Sequence, residues 1–193
     1  MICQTINECI NSIQRFVPSH VIKKKQNLGV SFSQYPCHND VNASKCILFL
    51  DNRQKPTCAE NGKKYTLELG FHSYECLGLH IDGGVIDSGD CRKCDYAFYV
   101  KDTDKRFILI ELKGHNTEAA IDQLMQTLNR GELKDVISHC KVYGRISATG
   151  SIPRIPSPNY MKLQKQFLIH GGNLKIYSSP FIEKYTDMDK ILP

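Results

Sequence analysis

Cys94-Asp95-Tyr96-Ala97-Phe98-Tyr99-Val100, a polar stretch over 101–105, and Phe107-Ile108-Leu109-Ile110-Glu111-Leu112-Lys113 together decide how this chain reads. Both runs are rich in β-branched, aromatic and aliphatic residues, and Lys101 to Lys105 form a polar turn cluster, so the pair predicts an antiparallel hairpin. With the turn centred on Thr103, Asp95 falls opposite Glu111, and directly opposed residues share a face. The two-residue period of a strand then sets Glu111 and Lys113 on one face and Leu112 on the other. Two carboxylates and an ammonium are thereby expected within about 4.5 to 8 Å of one another, the usual range of cross-strand neighbours.

Glu-X-Lys alone has little meaning, because the solvent face of an edge strand produces it often. Here a nearly unbroken apolar run precedes it, the mark of a strand buried on both faces. Charges at the end of a buried strand are costly unless something neutralises them. Magnesium is a hard cation, typically held by one or two carboxylates and leaving positions for waters and phosphate oxygens. Asp95 and Glu111 are the candidate metal ligands, and Lys113 is placed to orient a water or stabilise a phosphoryl transition state.

Working outward, Tyr65 to Leu69 and Cys76 to Ile86 read as strands, the second leading through Gly83-Gly84 and a turn at 87–90 into the Asp95 strand, which makes a meander. After Gly114, Thr117 is the expected cap of a helix with Ala120, Ile121, Leu124 and Leu128 on its buried face and Gly131 past its end. Lys141 to Ser147 returns as a strand parallel to the Glu111 strand. A proline-stiffened loop around Arg154 precedes a helix over about 159–170 and a strand from Leu174 to Ser178. Near the N-terminus, Ile2, Ile6, Cys9, Ile10, Ile13, Phe16 and Val17 recur at helical spacing. The expectation is one α/β domain over 1–193, with a core at about 65–178 and a helix over 2–17 against it.

Asp95, the fifteen-residue gap, Glu111-Leu112-Lys113 and the helix carrying Gln123 resemble the PD-(D/E)XK nuclease superfamily. The resemblance covers roughly residues 79 to 147. It implies a restriction-endonuclease-like fold: a mixed central sheet with a β-meander, a crossover helix and flanking helices. It further implies metal binding by Asp95 and Glu111, assistance to the nucleophilic water by Lys113, and a place near the active site for Gln123. Two departures stand out: Cys94 replaces the proline before the first acid, and no first-helix glutamate is identifiable. Glu60, Glu68, Glu75 and Asp82 are the upstream acids from which a further ligand could come.

The activity implied is a magnesium-dependent nuclease, with manganese able to substitute, acting as an endonuclease in restriction, defence or repair. Nucleic acid is the expected partner, DNA ahead of RNA, and the protein is expected as a homodimer or a subunit of a larger complex. The formal net charge of +5 accords with a polyanionic partner without requiring one. Lys23, Lys24 and Lys25 form the one dense basic run, and Arg145, Arg154, Lys162, Lys165 and Lys175 are candidates for a phosphate-contacting surface. No apolar stretch approaches bilayer length and no secretion signal opens the chain, so a cytoplasmic location without a membrane partner is expected. Nine cysteines then read as free thiols. Cys91-X-X-Cys94 has metal-ligand spacing, but no second tight pair completes a zinc site. Two alternatives stay open: a non-catalytic nucleic-acid-binding or assembly module of the same fold, and a zinc-stabilised interaction domain.

Overall fold

A computed structural model describes residues 46–86, 91–150, 152 and 156–190. The expected helix over 2–17, the lysines at 23–25, the turn at 87–90 and Arg154 lie outside them. In chain order the strands are β1 (Ile47–Asp51), β2 (Thr57–Glu60), β3 (Lys63–Glu68), β4 (Glu75–His80), β5 (Tyr96–Lys101) and β6 (Arg106–Lys113). Helix α1 (Thr117–Leu128), a 3-10 turn (Gly131–Leu133), α2 (Lys134–Ser138), β7 (Lys141–Ala148), α3 (Pro158–Ile169), β8 (Leu174–Ser178) and β9 (Phe181–Lys184) follow.

Among the described residues, six strands form a mixed sheet in the order β1-β4-β5-β6-β7-β8. Its first half is antiparallel, including the β4-β5-β6 meander, and β7 and β8 run parallel to β6. Parallel neighbours require crossovers, which α1 and α3 supply. A second sheet, β2-β3-β9, covers the face opposite these helices, with β3 against β6 and β7. The fold class is therefore α/β with mixed sheets. Among the described residues no helix is long and apolar enough to cross a membrane.

Strand β6 shows why its apolar run is continuous. Phe107 and Leu109 enter the core beneath the helices, whereas Ile108, Ile110 and Leu112 enter the core between the two sheets. A strand buried on both faces has no position at which a polar residue is free of cost. Two charged residues are buried on β6 nonetheless: Arg106 at its start is paired with Asp102 and Asp189, and Glu111 near its end calls for a chemical reason.

Four expectations need correction. The strand expected to reach Ile86 ends at His80, where the chain turns through Gly83 at φ 68°, a left-handed conformation that favours glycine. Asn116, not Thr117, caps α1: its Oδ1 accepts the Ala119 N–H at 2.9 Å. The strand expected over Tyr65 to Leu69 is β3, but it lies in a second sheet with β2 and β9 rather than in the sheet of the meander. Arg145 and Lys175 do not contribute to an exposed basic face, because both are buried against Glu183. Arginine and lysine enter an interior when paired, and the pairing partner arrives from β9.

Candidate active site

The β5-β6 register pairs Tyr96 with Ile110 and Val100 with Arg106. Extended by one residue, it puts Asp95 opposite Glu111, as the hairpin spacing requires. Asp95 sits at the bend that opens β5. Its backbone carbonyl accepts the Ile81 N–H at 2.9 Å, and its Oδ2 accepts the Leu112 N–H at 2.7 Å. The carboxylate is thus bound to the strand that carries its partner acid.

Glu111 is 1% exposed. Its Oε1 lies 3.4 Å from Lys113 Nζ, and its Oε2 is buried with no hydrogen-bond partner among the described residues. Lys113, 27% exposed at its side chain, also donates to Gln123 Oε1. Gln123 in turn donates through Nε2 to the Lys93 carbonyl at 2.9 Å. All four expected site residues are brought together at one end of the sheet, where β6 leads into α1.

Burial pushes the Asp95 carboxyl up to about 6; the Leu112 amide and Lys113 oppose this, while the charges of Glu60 and Asp82 add to it. Glu111 is pushed up to about 8, first by burial and then by the charge on Asp95, against the pull of Lys113 and the Asp95 backbone amide. Burial and the Glu111 charge also raise the Cys94 thiol well above its ordinary range. The charge on Asp95 therefore makes Glu111 harder to ionise. A cation beside the two carboxylates would offset that penalty.

The residues fit a hard divalent cation. An orphaned buried carboxylate oxygen beside a second carboxylate offers oxygen ligands, and magnesium completes its shell with waters and substrate oxygens. Among the described residues no group of three or more His, Cys, Asp or Glu side chains is placed to hold a metal. Of the upstream acids, Glu68 is bound to Lys55 and Glu75 to Lys101, whereas Glu60 and Asp82 act on Asp95 by charge. The described cysteines make no zinc cluster: Cys94 is buried with its Sγ toward the Tyr96 carbonyl, and the Cys91 Sγ accepts from Arg130 at 3.1 Å.

Two further residues belong to this neighbourhood, and sequence reasoning missed both. Lys93, with its side chain 6% exposed, pairs with Asp82 at 2.9 Å, two residues before Asp95. Thr127, fully buried, joins α1 to the Cys94 backbone at 2.8 Å. The signal for Thr127 was its spacing four residues after Gln123, which puts both on one helix face. Comparison with protein-family models, with curated proteins and with solved structures finds no match to this chain.

Proposed function

We propose that this protein is a metal-dependent nuclease of restriction-endonuclease-like fold, hydrolysing nucleic-acid phosphodiester bonds with magnesium or manganese. The observation that carries the reading is Glu111: a carboxylate with an unpartnered oxygen, at the end of a strand buried on both faces, facing Asp95 and Lys113. The antiparallel meander followed by a crossover helix and a parallel strand agrees with that fold, as does Glu-X-Lys at the end of the meander's last strand. DNA is the proposed substrate ahead of RNA, and endonucleolytic cleavage the proposed mode.

Asp95 and Glu111 would hold the cation. When bound, a divalent ion supplies neutralisation of phosphate charge and a lowered pKa for water. Lys113 is half within the site and half in solvent, so its ammonium can donate to an attacking water or to a phosphoryl oxygen as charge develops there. Gln123 holds that ammonium in place through its carbonyl oxygen and is itself fixed by the Lys93 carbonyl. Hydrolysis joins the water oxygen to phosphorus, breaks one P–O ester bond, and returns a proton to the departing oxygen.

The test is incubation with plasmid, linear, single-stranded and RNA substrates under magnesium and manganese. Cleavage is expected in the unaltered protein and lost in Asp95→Asn, Glu111→Gln and Lys113→Ala, each checked for fold by circular dichroism. Undiminished cleavage in all three variants rejects the assignment. Binding of nucleic acid without turnover under every metal would instead mark a binding module of the same fold.

A further inference from the structure

We propose that Thr127 is a positioning residue for the metal-binding carboxylates, an inference that rests on the nuclease reading above. Its hydroxyl is spent twice. It donates to the Gln123 carbonyl at 2.7 Å, and it accepts the Cys94 N–H at 2.8 Å. A hydroxyl has one proton, so with that proton committed to Gln123 its lone pair is oriented toward Cys94. Cys94 precedes Asp95 directly. One turn earlier on the same helix face, Gln123 Nε2 holds the Lys93 carbonyl at 2.9 Å. Residues 93 and 94 are therefore clamped to α1 by two rungs, one at each backbone polarity.

This clamp and the bond from Leu112 N–H to Asp95 Oδ2 fix Asp95 from both sides, one through its backbone and one through its carboxylate. Gln123 joins the same rungs to Lys113. Thr127 touches neither acid, yet one of the hydrogen bonds that set the position of Asp95 relative to Glu111, that to the Cys94 N–H, is made by it. Removing the hydroxyl leaves the Cys94 N–H buried and unpaired, a state the chain relieves by shifting 93–95 away from α1. The distance between two ligands sharing one ion is then lost. The coupling is reciprocal: if the Thr127 rung favours the ion, the ion favours the rung.

Thr127→Val keeps the shape and removes the hydroxyl, and Thr127→Ser restores it. Titration of manganese by calorimetry is expected to show binding weakened about 10-fold in Thr127→Val, the lower end of what losing an outer hydrogen bond to a metal ligand costs because Thr127 acts one residue away, and near-native binding in Thr127→Ser. In the unaltered protein, manganese is expected to slow hydrogen exchange at the Cys94 amide. Cleavage should lose kcat while the KM for nucleic acid holds. Equal manganese affinity in the unaltered protein and Thr127→Val, or Thr127→Ser as weak as Thr127→Val, overturns the inference and leaves the nuclease reading intact. Should Thr127→Val not fold, the unaltered protein decides: a Cys94 amide indifferent to manganese overturns the inference. No manganese binding by the unaltered protein removes the nuclease reading and this inference with it.

Discussion

Glu111 carries a cost that Lys113 and the Asp95 backbone amide offset only in part. With its carboxyl raised to about 8, the folded state keeps a proton that the unfolded chain gives up near the ordinary value of 4.5. Below 4.5 both states are protonated and the group is neutral toward stability. As pH climbs from there to about 8, the unfolded state ionises first and stability falls; above 8 the full penalty stands. Magnesium at the proposed site would require the ionised form, so stabilisation by the ion is expected to grow over the same interval, read as a thermal midpoint with and without it at several pH values. Glu111→Gln cannot ionise, so at high pH it removes the penalty of a buried charge while keeping a neutral polar group in its place. Its metal-free midpoint at high pH should therefore rise, by about 2–4 °C per kcal/mol in a chain of this size. The response to magnesium should disappear; a variant still stabilised by magnesium would count against Glu111 as a ligand.

Helix α3 and strand β7 meet at a point where no side chain fits. A Cβ on Gly144 would stand 2.5 Å from the Phe167 ring and 2.8 Å from the Leu174 Cδ1, and both of those side chains are buried. Gly144→Ala therefore forces α3 outward or the Phe167 ring out of its rotamer. Overpacking of that kind costs about 1–3 kcal/mol, measurable by urea denaturation. An unchanged urea midpoint would mean that α3 rides more loosely on the sheet than its fully buried Phe167 implies. The hairpin from β2 to β3 illustrates the opposite case, in which local chemistry suffices. Asn61 and Gly62 adopt φ values of 47° and 75°, the left-handed pair that a two-residue turn demands. Asn61-Gly62 is a turn signal that the reading of the sequence did not use, and β2, only four residues long, was not expected.

The two sheets are joined by a buried ionic network. Glu183 on β9 accepts from Arg145 Nε at 2.6 Å, from Lys175 Nζ at 2.9 Å and from the Tyr65 hydroxyl at 2.9 Å, so that β3, β7, β8 and β9 converge on one carboxylate. Arg145 further donates to the Gly144 and Asn173 carbonyls. Burial alone would raise Glu183, but the Arg145 and Lys175 charges and hydrogen bonds hold it below the ordinary value. A lowered carboxyl contributes stability that is present above its unfolded value and lost as pH falls through the folded one. Its pH dependence is thus opposite in sign to that of Glu111. Glu183→Gln leaves two buried cations without a counter-charge and should cost about 3–5 kcal/mol. Chemical denaturation measures this, and a loss under 1 kcal/mol would show that water already reaches the network.

What could be read from residue order was whatever depends on neighbours along the chain. The hairpin register followed from its turn, the shared face of Glu111 and Lys113 from the strand period, and α1, β7, α3 and β8 from apolar spacing bounded by caps and glycines. Local geometry is enough for these because few conformations satisfy each stretch. What only the folded chain decided was which distant segments meet. Strand β9 pairs in parallel with β3 across more than a hundred residues, and four residues of strand carry too little pattern to announce a partner so far away. Arg145 looked like a surface charge because its counter-ion is on β9, and a charged side chain is exposed or buried according to a partner that local sequence does not contain. Asp95 and Glu111 were expected to face each other. That Glu111 would keep an oxygen with no donor, and that Thr127 would hold the approach to Asp95, became visible once α1 lay across the end of the sheet.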